Sequence, residues 1–183
     1  MMNTLASPPT TLRRLTVIHP GTFGGTQRLV SSFCEGAATC SEIHLVSRSA
    51  SVCTEHELLD SDAVVFATPE HFGYMAGSMK AMFDRLFYRC MQDSTALDGG
   101  TESLLAGRAY AVIVCAGNDG TGAAESMTRI ITGWRMRKVA DDLIVRRVGG
   151  QAGSTRGKIA DGDIARCKEL GQSIAEGISM GAL

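Results

Sequence analysis

The sequence has no Cys-x-x-Cys pair: its six cysteines are scattered singly. That removes thioredoxin-type redox centres and the common zinc-binding frameworks from consideration, and the thiols read as small buried hydrophobes in a reducing compartment. It also lacks an excess of either charge, with 18 Lys and Arg against 19 Asp and Glu for a net charge of -1. A nucleic-acid partner, which calls for a clear basic excess, is therefore not expected. Long apolar runs are missing too. The first, residues 15–18, follows Arg13 and Arg14 and is far too short for a signal sequence or a membrane span. No G-x-G-x-x-G fingerprint occurs, and no lysine follows a glycine loop in the Walker spacing. These absences describe a soluble cytoplasmic protein without a metal site.

What remains is enough for one domain. A chain of 183 residues that is 44% hydrophobic can fill a single full core; residues 1–14 read as a flexible N-terminal tail and 15–183 as the domain. Residues 15–18 form a compact strand ending at His19, and residues 27–37 place Leu29, Val30, Phe33, Cys34 and Ala37 on one helical face. Between them lies PGTFGGT, residues 20–26. A glycine- and threonine-rich loop entering a helix is an anion site, because free N–H groups and the positive helix end point the same way. Without a Walker lysine it should hold one phosphate and not three.

Residues 42–47 read as a second strand. Thr54-Glu55-His56-Glu57 matches a capping box opening a short helix as far as Asp60, which leaves His56 in solvent. Residues 63–67 and 110–116 are almost continuously apolar, as buried parallel strands are, and residues 143–148 alternate apolar with basic as a fifth strand nearer an edge. Met79, Met82, Phe83, Leu86, Phe87 and Cys90 share a helical face; so do Met127, Ile130, Ile131 and Trp134, which makes Trp134 a core residue by spacing. Residues 91–107 show little periodicity and are expected to be a connection carrying an interface or a lid. A last helix starts near Asp161 after the glycine-rich loop 149–158, whose Arg156 and Lys158 read as solvated charges, with the phosphates of a nicotinamide dinucleotide as an alternative contact. Five strands alternating with five helices require an α/β fold, a parallel sheet with helices on both faces. The expected order 2-1-3-4-5 puts the switch point between strands one and three.

The stretch that organises the rest is TPEHFGYMAGSMKAMFDRL, residues 68–86, where a strand turns into a helix. A proline, two aromatics and two glycines in the turn let the backbone approach a flat ligand closely; the plainer alternative is an ordinary loop in which Pro69 ends the strand. This stretch resembles the isoalloxazine loop of the flavodoxin-like NAD(P)H-dependent FMN reductases, most of all the Trp-repressor-binding-protein-like quinone reductases, whose pattern is T-P-x-x-F-G-x-M-x-G-x-M-K/R. Residues 21–26 resemble their phosphate loop, usually S/T-x-T-G-x-T. Here Pro20 stands where many relatives keep a hydroxyl and the loop is one residue longer, so one side-chain donor to phosphate is expected to be missing. Residues 117–122 followed by Glu125 are similar to their T-G-x-G-G-G-x-E loop beside the ring and ribityl chain.

The resemblance implies a flavodoxin-like three-layer sandwich, FMN as cofactor, and NADH or NADPH as co-substrate. It implies hydride transfer through the flavin to a quinone or similar small acceptor, flavin-centred chemistry with no catalytic side chain, and a homodimer or homotetramer. The phosphate would lie on Gly21, Thr22, Gly24, Gly25, Thr26 and Gln27. The ring would lie between Pro69, Glu70, His71, Phe72, Gly73, Tyr74 and Met75 on one side and Ala116, Gly117, Asn118, Asp119, Gly120, Thr121 and Gly122 on the other, with His71, Phe72 and Tyr74 lining its open face. Gly133-Trp134-Arg135-Met136 replaces the His-His-Gly-Met run of the quinone reductases, so their acceptor site and tetramer do not carry over directly; Trp134 walling a differently shaped pocket is the alternative to its core role. Three other functions fit parts of the pattern. A flavodoxin-type electron-transfer protein without its own NAD(P)H activity is usually strongly acidic, which this chain is not. A signalling receiver domain needs an aspartate where Thr68-Pro69 ends strand three. The third is a chain that keeps the fold but holds FMN weakly or not at all.

Overall fold

The computed structural model describes residues 12–21, 24–93, 100–148 and 157–183. Most of the expected tail, Thr22, part of the 91–107 connection and Arg156 lie outside them. β1 (Arg13–His19) begins just ahead of the apolar run and is fully buried from Leu15 onward. It leads to α1 (Gly24–Ala37), which starts three residues earlier than its apolar face because Gly24 and Gly25 already lie in its first turn. β2 (Ile43–Ser49) follows at the sheet edge. Thr54 then caps α2 (Glu55–Leu59) with the expected capping box: its hydroxyl accepts from the Glu57 N–H, and the Glu57 carboxylate accepts from the Thr54 N–H at 3.1 Å.

β3 (Ala63–His71) runs four residues past the apolar stretch and through Pro69 before folding back antiparallel on β4 (Tyr74–Met75). Pairing with β1 ends at Phe66, so beyond it β3 is an edge on that side and tolerates a proline. α3 (Gly77–Leu86) buries Met79, Met82, Phe83 and Leu86. It gives way to a 3-10 turn at Tyr88–Cys90 and does not continue as an α-helix through Cys90. In the connection expected to be irregular, β5 (Met91–Asp93) and β6 (Thr101–Ser103) pair antiparallel.

β7 (Ala109–Ala116) is buried at every residue. After it come α4 (Thr121–Gly133), β8 (Arg137–Lys138), β9 (Leu143–Arg146) and α5 (Asp161–Ser179). β9 stops at Arg146, and Val148 instead exchanges two backbone hydrogen bonds with Lys158.

The parallel strands take the order β2-β1-β3-β7-β9, as expected, with β8 beside the start of β7. The fold is thus α/β and flavodoxin-like, with a core on each face of the sheet. One side holds Phe66, Phe83, Met127 and Trp134 under α3 and α4; the other holds Leu29, Phe33, Val65 and Ile174 under α1 and α5. Trp134 belongs to the first core, as its spacing predicts. It is fully buried, lies nearly parallel to Phe87 at 5.8 Å, and donates its indole N–H to the Phe87 carbonyl at 3.1 Å. Helices α1 and α5 cross backbone on backbone: a Cβ on Gly36 would fall 1.9 Å from the Lys168 carbonyl oxygen, and one on Gly171 2.0 Å from that of Phe33. Only glycine permits that approach.

Candidate functional site

Because β1, β3 and β7 are parallel neighbours, the loops after them open on the same sheet edge, at the switch point. They enclose one cleft of ≈ 870 Å³.

The β1–α1 side supplies Pro20, Gly21, Gly24, Gly25 and Thr26. His19 braces it from beneath: one ring nitrogen lies 2.7 Å from the Gly21 carbonyl and the other 3.1 Å from the Ser47 hydroxyl, so the imidazole is held by the loop and by β2. A Cβ on Gly25 would lie 2.4 Å from the Cys115 Sγ at the end of β7, so any side chain here requires that thiol to move. Burial pushes the Cys115 thiol up, with the nearby Arg147 charge and a hydrogen bond involving Thr26 pulling partly back.

The β3–α3 side is the hairpin. At its tip Phe72 has φ 54 and Gly73 φ 72, both left-handed, and the Phe72 ring stands entirely in solvent beside the cleft. A non-glycine residue at positive φ on a cleft rim is local strain of the kind found at ligand sites. Thr68 holds the hairpin closed, accepting the Ala76 N–H at 3.0 Å and donating to the Pro69 carbonyl at 3.0 Å. The first turn of α3 lines the cleft with Gly77 and Ser78, and its Ala76 N-cap provides no side-chain bond to the free N–H groups.

The β7–α4 side contributes Gly117 and Asn118. The Asn118 N–H donates at 2.6 Å to the carboxylate of Glu70, a buried side chain that also lines the cleft, so the hairpin and this loop are joined directly.

Eleven of the expected site residues line this cleft: Gly21, Gly24, Gly25, Thr26, Pro69, Glu70, His71, Phe72, Gly73, Gly117 and Asn118. Others do not. Gln27 points along α1 toward Ser31. Met75 and Ala116 face the core, because strand alternation turns them inward. Tyr74 lines a separate groove with Gly122 and Glu125. Asp119, Gly120 and Thr121 build the start of α4, where Asp119 accepts the Thr121 N–H at 2.8 Å and Gly120, at φ 75, is the N-cap. Thr22 lies outside the described residues.

Residues not expected in the site also line the cleft: Ala76, Gly77, Ser78, Cys115 and Arg147. Arg147 is the most consequential. Its Nε is buried without a hydrogen-bond partner, and its Nη2 lies 3.2 Å from where a Cβ on Gly117 would be. Strand alternation at residues 143–148 reads as edge charge, but β9 ends at Arg146 and the turn after it sends the next side chain inward.

The donor set fits a planar ring bearing a phosphate. Free helix N–H groups and an orphaned guanidinium nitrogen seek an anion, and glycines whose Cβ atoms would intrude keep the walls low. Comparison with known proteins agrees. Among solved structures, a flavodoxin from the domain Archaea superposes with TM-score 0.67 at 18% identity over 90% of this chain and 98% of that one. A WrbA-like flavodoxin from Agrobacterium tumefaciens gives 0.65 at 12% over 93% and 99%, and an oxidoreductase from Corynebacterium diphtheriae gives 0.60 at 19% over 90% and 97%. At such identities the likeness concerns the fold. The family described as NADPH-dependent FMN reductase matches residues 53–148, a stretch containing the hairpin, the β7–α4 loop and Arg147. That match spans more than half of the sequence, and the chain therefore belongs to the NADPH-dependent FMN reductase family of FMN-dependent oxidoreductases.

Proposed function

We propose that this protein holds FMN in the cleft and uses it to pass reducing equivalents from NAD(P)H to a quinone or a similar small acceptor. The observation that carries this reading is the meeting of three βα loops in one cleft that joins free helix N–H groups to a strained aromatic turn. FMN, when bound, supplies the hydride and electron chemistry. The chain supplies position and electrostatics.

The first-turn N–H groups of α1 receive the phosphate. The hairpin tip and the Gly117–Asn118 backbone flank the ring, and the Glu70 bond to Asn118 keeps those two walls at a fixed separation. Phe72 and His71, both exposed at the mouth, form the surface against which the nicotinamide and then the acceptor stack. We further propose a homodimer or homotetramer as the working form, which size-exclusion chromatography with light scattering tests. Among the described residues no helix is long and apolar enough to cross a membrane.

Anaerobic titration of the FMN-reconstituted protein with NADH and with NADPH tests the function. Rapid bleaching of the visible flavin band, followed by recovery on adding a quinone, is the expected result. Bound flavin that neither nucleotide bleaches would identify an electron shuttle, and absence of bound flavin would end the reading.

A further inference from the structure

Arg147 is the one lysine or arginine among the described residues lining the cleft. Its stem is wedged between two glycines: the Cδ lies 3.7 Å from the Cβ position of Gly25, in the first turn of α1, and the Cβ lies 2.7 Å from that of Gly157. Its backbone N–H is fixed on the Ala116 carbonyl at 3.1 Å. The head lies by Gly117, and among the described residues no carboxylate forms an ion pair with it. Glu70, the acidic residue on the same cleft, accepts the Asn118 N–H. A guanidinium with a buried, unmet donor is costly unless an anion completes it.

The sequence supplies the other half. Pro20 carries no hydroxyl, Gly21, Gly24 and Gly25 carry no side chains, and no lysine follows them. Among the described residues, the α1 side of the anion end therefore offers only backbone N–H groups and Thr26, while the stem of Arg147, just past the end of β9, passes Gly25 and carries a permanent cation into the cleft. We propose that Arg147 is the ionic ligand of the FMN phosphate, replacing the donor that Pro20 removes, so that this chain selects FMN over riboflavin by charge. The inference rests on the FMN reading given above. Arginine suits the task because its fork reaches two phosphate oxygens at once and never loses its charge.

The test is fluorescence titration of the flavin-free full-length chain with FMN and with riboflavin, at low and high salt, for the wild type, Arg147→Gln and Arg147→Lys. Thermal melts of each flavin-free protein establish that it is folded. The wild type should bind FMN far more tightly than riboflavin, with an FMN affinity that falls as salt rises. Arg147→Gln should weaken FMN roughly ten- to hundredfold, the range of one contact to a charged group, while leaving riboflavin unchanged and abolishing the salt dependence. Arg147→Lys should recover part of the loss. Equal weakening of both flavins would place Arg147 against the ring and overturn the proposal, as would an Arg147→Gln variant that keeps wild-type FMN affinity. If Arg147→Gln does not fold, the wild-type preference and its salt dependence decide: a salt-independent affinity equal for both flavins refutes the proposal. A wild type that binds neither flavin overturns the FMN reading together with this inference, whereas tight FMN binding unaffected by Arg147→Gln overturns this inference alone.

Discussion

Gly122 lies against Gly73: a Cβ built on the first would fall 2.2 Å from the carbonyl oxygen of the second. The first turn of α4 thus presses directly on the tip of the β3–β4 hairpin and fixes its height over the cleft. Gly122→Ala forces backbone against backbone, and we expect a loss of about 1–3 kcal/mol in stability. Because the displaced atoms belong to the turn proposed to flank the ring, the thermal shift produced by saturating FMN should shrink as well. An unchanged FMN-induced shift would mean that the hairpin tip is not part of the binding surface.

Gly73→Val addresses the same turn from the opposite direction. At φ 72 nothing lies within 4 Å of the added Cβ, so the penalty is conformational and not steric crowding. A β-branched residue held in the left-handed region costs about 1–2 kcal/mol or more, which the turn escapes by changing shape. Far-UV circular dichroism should remain that of the wild type while FMN binding is lost; full retention of affinity would count against the proposed ring site.

Much of this arrangement was legible in the sequence, and the parts that were not share a physical cause. Residues 15–18, 63–67 and 110–116 announce central strands because burial on both faces demands continuous apolar character, and the Thr54 capping box fixes a helix start to the residue. The β3–β4 hairpin was hidden because Pro69 reads as the end of a strand when the neighbouring strand is not known to have stopped at Phe66. β5 and β6 are three residues each, too short for alternation to register. Gly120 is a left-handed N-cap and Gly122 makes room for the hairpin, structural duties that spacing alone does not separate from contact with a ligand. Arg147 left no local signal, since its place in the cleft depends on where β9 ends.

Trp134 provides a probe of the core beneath α3 and α4. Trp134→Phe removes the indole N–H bond to the Phe87 carbonyl and leaves volume unfilled between Phe83 and Phe87. The expected cost is about 1–2 kcal/mol, read from urea denaturation followed by circular dichroism. FMN affinity should stay within about twofold, because a change under 0.4 kcal/mol is what a residue remote from the cleft contributes. A larger fall would place the residue in contact with the site.

The buried thiols predict a pH dependence. Burial pushes Cys53 and Cys167 up to about 12, and Cys90 up to about 11, from an ordinary value of 9.0. Above that ordinary value the unfolded chain has released these protons while the folded chain keeps them, so the unfolded state binds fewer protons and stability falls as pH rises. The contribution is complete below about pH 9 and is lost as pH climbs through 11 and 12. Urea midpoints should decline across that window. In native protein at pH 8, a thiol reagent should modify the partly exposed Cys34 and Cys40 well before the four buried cysteines.

The crossing of α1 and α5 also dictates an order of events. The helix whose first turn forms the proposed anion end of the cleft gains its helical neighbour only from residues 161–179, and Arg147 too comes late in the chain. During synthesis the opening third of the protein therefore emerges without the partners that lock its loop in place. Capture of the cofactor is therefore expected of the finished polypeptide, after the last helix has settled against the first.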